Sequence, residues 1–430
     1  MKKAPSPFVS LMPIIVLVLL LFATIRTFGS DALSGGSQVS LLTTTAICIL
    51  IGMVFYKIPW KDYELAITNN IAGVATAIII LLIIGALSGI WMISGIVPTL
   101  IYYGMQIIHP SFFLASTCII CALISVMTGS SWTTIATIGI ALMGIGKAQG
   151  FEDGWIAGAI ISGAYFGDKI SPLSETTILA SSITDTPLFR HIRYMMITTV
   201  PSLVITLIIF TVAGFSHDAN NTQHIAEVAT ALNEKFHITP WLLIVPVATG
   251  ILIAKKVPSI VTLFLSTLLA AVFALIFQPD LLEEISGIAA SGFDSLFKGL
   301  MMTIYGETNL HTDNAVLTDL IATRGMSGMM NTIWLILCAM CFGGAMTASG
   351  MVGSITSIFV RFMKKTVSVV SATVCSGLFL NLTTADQYIS IILTGNMFRD
   401  IYAKKGYESC LLSRTTEDAV TVTSVLIPWN

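Results

Sequence analysis

The stretch YFGDKISPLSETTI, Tyr165–Ile178, places three charged side chains within eight residues, between two long apolar segments. These side chains are Asp168, Lys169 and Glu175. Each ionised group at the centre of a bilayer costs roughly 2.5–3.5 kcal/mol, so three facing lipid would cost on the order of 8–10 kcal/mol. That sum is comparable to the whole stability of a typical domain. The three charges must therefore face one another, or a cavity that admits water and ions.

The rest of the chain has the composition of a polytopic membrane protein. Apolar residues make up 55% and charged residues 10% of its 430 residues, and the mean hydropathy is +0.88. A soluble chain carries about a quarter charged residues. The net charge of −2 gives no sign of a nucleic-acid partner. The cysteines lie almost all in apolar runs without histidines nearby, so neither a zinc site nor a disulfide framework is predicted.

Seven apolar runs are long enough to cross a hydrocarbon core of about 30 Å. They are 8–28, 38–56, 66–90, 195–213, 239–254, 257–277 and 327–349. The first is expected to be a retained span, because it lacks a cleavage site for a signal peptidase. The amphipathic segment His217–Phe236 holds one lysine and several acidic residues. The positive-inside rule therefore places it outside, and places Lys2, Lys3, Lys255 and Lys256 in the cytoplasm.

Four other stretches are apolar but interrupted by Gly, Pro, Ser, Thr and charged residues. They are 110–147, 154–185, 285–325 and 366–430. Backbone that leaves the helix at membrane depth is tolerated only where it is buried in protein or lines a water-filled cavity. We therefore predict an all-α polytopic fold with discontinuous or re-entrant helices, and we expect the functional site at the interruptions.

One interruption is predicted beside Asp168. The preceding GAIISGAY is a small-residue helix that can pack closely on a neighbour, and Gly167 is expected to end it. Pro172 disfavours a helical Ser171 and suits the first position of a new helix. The pattern thus predicts a break over 167–171, with Ser171 capping a helix that starts at Pro172. Asp168 would lie in the break and Glu175 on the first turn beyond it, among carbonyl and hydroxyl oxygens that a hard cation prefers.

Two pairs of segments indicate an internal repeat. TGSSWTTIATIG (128–139) aligns with TADQYISIILTG (384–395), and GDKISPLS (167–174) aligns with EDAVTVTS (417–424), in the same order. Transporters commonly arise by such duplication, with the substrate site at the midplane between repeats. We predict two inverted repeats, with these parts in chain order: N-terminal spanning helices 1–65, a first repeat 66–213, a connecting segment 214–256 and a second repeat 257–430.

The second half of the chain supplies its own acidic groups. Arg414, Glu417 and Asp418 lie in SRTTEDAVTVTS, and Asp386 is a lone carboxylate in an otherwise uncharged run. Such intramembrane acids are functional by default, although Arg414 would be a structural partner for Asp386. A direct role for the acidic segment that holds Glu307, His311, Asp313 and Asp319 is left open. The histidines at 109, 191, 217, 224 and 237 are expected in loops or at interfaces.

Several of these segments resemble the NhaC-type sodium/proton antiporter family, and the resemblance extends over essentially the whole chain. They are GDKISPLSETTILASSITDTPLFRHIRYMMITTVPS (167–202), GMSGMMNTIWLILCAMCFGGAM, ADQYISIIL and LSRTTEDAVTVTSVLIPWN. The resemblance implies a secondary carrier in the bacterial inner membrane that exchanges Na+ for H+ and needs no cofactor. Some relatives exchange malate for lactate together with the ions. The family commonly has Asp in place of Glu175 and continues beyond Asn430, so the second repeat is expected to be incomplete here.

The implied exchange would use buried carboxylates shared by Na+ and H+, because desolvation disfavours their charged form. Asp168, Glu175 and Asp418 are expected to be buried and to hold Na+, with Lys169 as counter-ion. The full ion-binding set is Asp168, Ser171, Ser174, Glu175, Thr176, Asp386, Glu417, Asp418, Thr421 and Ser424. The alternative is an organic-acid antiporter, whose substrate would bind Ser130, Ser131, Thr133, Thr134, Arg414 and Asn430.

The sequence supports an enzyme or a channel less well than it supports a carrier. The Gly-x-Gly-Asp pattern of intramembrane aspartyl proteases is absent, as are HExxH, GxSxG and P-loop motifs, so no enzyme is predicted. A channel is less favoured than a carrier, because paired polar interruptions indicate an occluded site. The expected partners are Na+, H+, small organic acids and the lipid bilayer. A homodimer is left open.

Overall fold

The computed structural model describes residues 5–216, 222–255, 257–288, 290–308, 310, 318, 321–355, 366–384 and 386–427. Within these ranges the regular secondary structure is helical throughout. Eight helical stretches there are long and apolar enough to cross a membrane, and a bent helix pair would make a ninth. The predicted all-α polytopic fold is therefore confirmed.

We number the α-helices of the described residues in chain order. They are α1 (Pro7–Phe28), α2 (Gly36–Tyr56), α3 (Trp60–Gly73), α4 (Ala75–Ile93), α5 (Ile96–Ile107), α6 (Phe113–Thr128), α7 (Ser131–Thr134), α8 (Ile140–Ala148), α9 (Asp153–Ile170), α10 (Glu175–Ile183), α11 (Leu188–Ser216), α12 (Thr222–Lys235), α13 (Ile244–Ala254), α14 (Ser259–Phe277), α15 (Pro279–Ser286), α16 (Phe293–Tyr305), α17 (Met330–Ala348), α18 (Thr366–Thr384), α19 (Gln387–Lys404) and α20 (Ser409–Ser424). A single π-helical turn, Ile135–Gly139, joins α7 to α8.

The chain folds as two compact units. The terminal unit comprises Met1–Ile78, Thr176–Tyr194 and Met330–Asn430, and the central unit comprises Ile79–Glu175 and Met195–Met329. The central unit has an apolar core that includes Leu87, Trp91 and Phe113. The terminal unit has its own core, which includes Leu41, Tyr63 and Phe342.

Most predicted spans coincide with candidate spanning helices, but two differ. The run 66–90 is not one span, because α3 ends at Gly73 and α4 begins at Ala75. The polar sequence of α3, which includes Lys61, Asp62 and Glu64, is unsuited to a hydrocarbon core. The run 239–254 begins with a 3₁₀ turn and forms a helix pair with the end of α12 that is bent by 94°.

The small-residue face predicted before Asp168 does pack closely on a neighbour. A Cβ atom at Gly163 would overlap the carbonyl oxygen of Cys118, and one at Gly167 would overlap that of Ala122. Both carbonyls belong to α6, so glycine brings the backbones of α6 and α9 together. Gly167 therefore serves packing inside α9, and the prediction that it ends the helix is wrong.

The break itself lies later in the chain than predicted. α9 continues through Asp168 and Lys169 to Ile170, and helical structure resumes only at Glu175. Ser171 is extended, with φ −78° and ψ 130°, as expected for a residue before proline. At the end of α9, the Ser171 N–H donates to the carbonyl oxygen of Asp168 at 3.1 Å. Pro172 lies in the turn and does not start the next helix.

Candidate functional site

The first interruption of the central unit separates α6 from α7. Ser130 has extended backbone angles, φ −148° and ψ 116°, and its Oγ accepts a hydrogen bond from the Thr133 N–H at 3.2 Å. The Thr128 and Thr134 hydroxyls both donate to the carbonyl oxygen of Ser130, at 3.2 and 3.0 Å. Local hydroxyls thus satisfy backbone groups that the break leaves without helical partners. Thr133 Oγ1 also donates to Ser259 Oγ at 3.1 Å.

The terminal unit has the same arrangement between α18 and α19. Asp386 has φ −150° and ψ 122°, and its Oδ1 accepts from the Ile389 N–H at 2.7 Å. The Thr384 and Ser390 hydroxyls both donate to the carbonyl oxygen of Asp386, at 3.2 and 2.8 Å. The Asp386 carboxylate is therefore a helix cap, and the Tyr388 N–H donates to it as well.

The two breaks correspond residue by residue. Thr128 matches Thr384, as the sequence alignment has it, and Ser130 matches Asp386 in backbone angles and in both sets of hydrogen bonds. Such agreement is expected of a duplicated segment. The inverted relation of the two repeats remains a prediction.

Asp168 is the buried carboxylate of the central unit, with 8% of its surface exposed. Ser131, the first residue of α7, donates from Oγ to Asp168 Oδ2 at 2.8 Å. The Ser131 N–H and the Ser174 hydroxyl also donate to this carboxylate, and Glu175 lies close enough to repel it. Lys169 is buried beside it in the chain, with 7% exposed. The structure thus brings Asp168, Ser174 and Glu175 together as predicted, and adds Ser131.

The other predicted residues near this break have different surroundings. The Ser171 hydroxyl donates to the Val126 carbonyl oxygen at 2.8 Å and accepts from the Leu173 N–H at 3.2 Å, so it supports the turn. Thr176 is buried on α10. Glu175 begins α10 but is exposed, so its predicted burial is wrong. It lies at the end of the turn, where few neighbouring residues cover it.

The terminal unit buries a second carboxylate besides the helix-capping Asp386: Glu417, which has no exposed surface. Three helices of this unit also carry buried hydroxyls: Ser376 on α18, Thr394 on α19, and Thr416 and Thr421 on α20. None of these four hydroxyl oxygens has a hydrogen-bond partner among the described residues. A Cβ atom placed on Gly377 of α18 would lie 3.7 Å from Thr394 Oγ1 and 3.0 Å from Val420 Cγ2. The Thr394 hydroxyl thus lies where the three helices meet.

Asp418 follows Glu417 but has a different environment, so its predicted burial is also wrong. It is half-buried, and its Oδ2 lies 3.8 Å from Arg414 Nε one turn away. The Arg414 guanidinium lies 5.0 Å from the centre of the Tyr194 ring. Adjacent residues differ by about 100° around a helix, which turns Asp418 away from the face that buries Glu417. The structural partner of Arg414 is thus Asp418, and Asp386 caps its own helix.

Further polar contacts hold α20 against the break before α19. Ser424 Oγ donates to Gln387 Oε1 at 3.1 Å, and Asn381 Nδ2 donates to the Val420 carbonyl oxygen at 2.8 Å. Sequence reasoning selected Ser424 but missed Gln387 and Asn381. Both are uncharged amides, and nothing in the local sequence records their contacts with α20.

His191 was expected in a loop or at an interface, and the loop is wrong. It lies in the first turn of α11, is fully buried, and its Nδ1 is 2.9 Å from Ser413 Oγ. His109 and His237 are exposed, His224 lies on α12, and His217 lies outside the described residues. Pro187 and Arg190 make the segment resemble a loop, whereas the helix starts at Leu188 and packs its first turn on α20.

The acidic segment that begins at Glu307 has the character of a surface loop where it is described. Glu307 is exposed and pairs with exposed Arg324, at 3.5 Å between Oε1 and Nε. His311, Asp313, Asp319 and Asn430 lie outside the described residues. Within the described part of the chain, no three His, Cys, Asp or Glu side chains are grouped as a metal site.

Apolar spanning helices, interrupted where carboxylates and hydroxyls are buried, define a polytopic membrane protein of the secondary-carrier class. A model of the Na+/H+ antiporter family matches residues 5–178 and 163–430. This chain belongs to that family.

The chain is similar over most of its length to several curated proteins. It is 35% identical to the Na+/H+ antiporter NhaC of Bacillus subtilis (strain 168), over 90% of this chain and 83% of that protein. It is 36% identical to the malate-2H+/Na+-lactate antiporter of the same organism, over 91% of this chain and 81% of that protein. It is also 31% identical to the arginine/ornithine antiporter ArcD of Halobacterium salinarum, over 100% of this chain and 85% of that protein.

Proposed function

We propose that this protein exchanges Na+ for H+ across the bacterial inner membrane, and that the Asp168 carboxylate binds either ion in turn. The observation that carries the proposal is a buried carboxylate surrounded by the hydroxyls of Ser131 and Ser174. A hydroxyl has one donor and two acceptor lone pairs. The same two groups can therefore donate to an empty carboxylate and offer oxygen lone pairs to a bound cation.

Competition for these oxygens would couple the two ions. A protonated Asp168 has lost its negative charge and binds Na+ weakly, whereas bound Na+ displaces the proton. The N-terminus of α7, which points its Ser131 N–H at Asp168, stabilises the carboxylate in its charged form. Lys169 would balance that charge while the site is empty. Na+ and H+ are then coupled at Asp168 because both bind the same oxygens.

Alternating access would come from movement of one repeat against the other. The matching breaks at Ser130 and Asp386 support this part of the proposal, because each interrupts a helix at the same place in its repeat. In this proposal Asp386 caps α19 and Asp418 pairs with Arg414, so neither holds Na+.

A second candidate function is exchange of organic acids together with the ions. Arg414 favours it, because its Nε makes no hydrogen bond within the described structure and lies 3.8 Å from Asp418. A guanidinium with unused donors is suited to binding a carboxylate. The malate-2H+/Na+-lactate relative supports the same reading.

The deciding experiment uses purified protein in proteoliposomes that contain a pH-sensitive dye. Proton movement on addition of Na+ alone supports Na+/H+ exchange. Proton movement that requires malate or lactate as well would support the second function and contradict the first.

The Asp168→Asn variant tests the assigned carboxylate. It keeps the size of the side chain but cannot bind a proton and Na+ in turn, so both Na+/H+ and Na+/Na+ exchange should be lost. The matched control is Asp153→Asn at the exposed start of the same helix, which should exchange at the normal rate. Wild-type exchange by Asp168→Asn would contradict the assignment.

A further inference from the structure

We propose that His191 and Ser413 form a proton-transfer path that loads and unloads the Glu417 carboxylate. The proposal rests on the proposed function, because it requires that protons are transported. It assigns a role to a buried histidine and a buried carboxylate that the Asp168 site does not use.

The path runs through three fully buried side chains. His191, Ser413 and Glu417 each have no exposed surface, and His191 Nδ1 lies 2.9 Å from Ser413 Oγ. Ser413 and Glu417 are separated by four positions on α20, so their side chains are neighbours on one helix face. One hydroxyl thus stands between an imidazole and a carboxylate.

The protein surface begins one residue before His191 in the chain. Arg190 is exposed, and its guanidinium pairs with Glu408 at 2.7 Å. Hydrogen bonding with the Cys410 side chain and the charge of Arg190 hold the pKa of Glu408 below its ordinary range. Glu408, which precedes α20, is thus a charged surface group near the start of α11.

Imidazole chemistry allows the transfer to balance. A proton from the surface side adds to Nε2 of a neutral ring that carries its hydrogen on Nδ1. The Nδ1 proton then passes to Ser413 Oγ, while the Ser413 hydroxyl, which donates to the Cys410 carbonyl oxygen at 3.2 Å in this structure, turns and passes its own proton through one water to Glu417. The products are a neutral histidine, a neutral serine and a protonated carboxyl, so one proton has moved. Return of the ring to its first tautomer resets the path.

The surrounding charges favour transfer over storage of a proton on His191. On its own helix the nearby charged or titratable groups are Arg190, Arg193 and Tyr194, and on the α20 side they are Glu408, Arg414 and Glu417. The Arg414 guanidinium lies over Tyr194, one turn of α11 from His191. A lasting positive charge on the His191 imidazole is unfavourable near Arg414, because like charges repel. The Glu417 carboxylate, by contrast, lies one helical turn from Ser413 and can accept the proton. Free imidazole has a pKa near 6.5, so a histidine is suited to taking up and releasing protons near neutral pH.

The test compares two exchange modes of the same proteoliposomes. His191→Gln keeps a hydrogen-bonding group near Ser413 but cannot relay a proton. We expect Na+/H+ exchange to fall by at least about tenfold, since a positioned proton-transfer group typically contributes more than that. Exchange of isotopic Na+ for Na+, which needs no proton, should be unchanged. Ser413→Ala should have the same split effect, and His237→Gln, at an exposed histidine of the central unit, should change neither mode.

A structural role for His191 predicts a different result. Loss of both modes together in His191→Gln and Ser413→Ala would overturn the proposal, and so would wild-type Na+/H+ exchange in either variant. Recovery of Na+/H+ exchange by added imidazole in His191→Gly would support it. If the wild-type protein moves no protons with Na+ at all, the proposed function fails first. That outcome is distinct, because it does not depend on any variant.

Discussion

Individual residues decide which carboxylates can take part in exchange. Asp168 and Glu417 are buried, whereas Glu175 is exposed and Asp418 is half-buried in a pair with Arg414. A buried acid must be protonated, paired or bound to a cation, whereas an exposed one exchanges with solvent at little cost. The contrast between Glu417 and Asp418 shows that one position along a helix is enough to change this role.

Ser131 provides a prediction at the same scale. Ser131→Ala removes a donor that lies 2.8 Å from Asp168 Oδ2 and an oxygen proposed to contact Na+. A hydrogen bond to a charged group contributes about 1.5–3 kcal/mol, so we expect the Na+ concentration for half-maximal exchange to rise on the order of tenfold or more. The control is Ser116→Ala, whose hydroxyl donates only to carbonyls of its own turn. An unchanged Na+ dependence in Ser131→Ala would argue against its place in the site.

At the scale of helices, two structural features, helix breaks and close packing at glycines, shape the site. We call them the first and the second device. Breaks capped by Ser130 and Asp386 let α7 and α19 start inside the protein, and glycines let α6 and α9 approach closely. The first device presents a helix N-terminus to a carboxylate, as Ser131 does to Asp168. The second fixes the position of α9, and with it the position of Asp168.

Matched glycine variants of α9 test the second device. Gly163→Ala places a Cβ against the Cys118 carbonyl oxygen, whereas at Gly158 the nearest atom is Phe210 Cζ at 4.0 Å. Overpacking costs about 1–3 kcal/mol, so Gly163→Ala should lower the melting temperature. Gly158→Ala should raise it slightly, because alanine is favoured over glycine in a helix by about 1 kcal/mol. Equal shifts in thermal unfolding of the two purified variants would contradict the close packing.

For the whole molecule, the described residues form two compact units, and each has a buried carboxylate and an interrupted helix. Large apolar side chains are exposed along α1, α11 and α14, including Phe22, Ile208 and Phe264. Lipid is the medium that such surfaces require in a multi-pass membrane protein. The exposed apolar faces of these three helices are therefore matched to the bilayer.

The direction of insertion is a prediction at this scale. The charge pattern places α12 outside and Lys255 in the cytoplasm. In a Cys375→Ser background, which removes an exposed thiol, a cysteine at Glu227 should react with a membrane-impermeant maleimide on intact cells. A cysteine at Lys255 should react only after the cells are opened. The reverse pattern would invert the predicted topology.

The residues of the site differ in how clearly the sequence indicates their role. Asp168 stood out because a charge in an apolar run is costly, and Thr128 and Thr384 because their segments align. Ser131 was selected for a different ligand, and His191 was assigned to a loop or an interface. Both contacts join residues distant in sequence, to Asp168 and to Ser413, and no local pattern records such a contact.

The amino-acid sequence by itself determined the class of protein and the presence of a helix break at Ser171. Hydrocarbon leaves each backbone polar group in need of an internal partner, so long apolar runs must be helices, and Pro172 forces Ser171 out of the helix wherever the chain folds. Only the tertiary structure decided which polar groups are buried. Glu417 and Asp418 are adjacent acids with the same local propensities, and their difference arises from the helices that pack on one face of α20 and leave the next partly open.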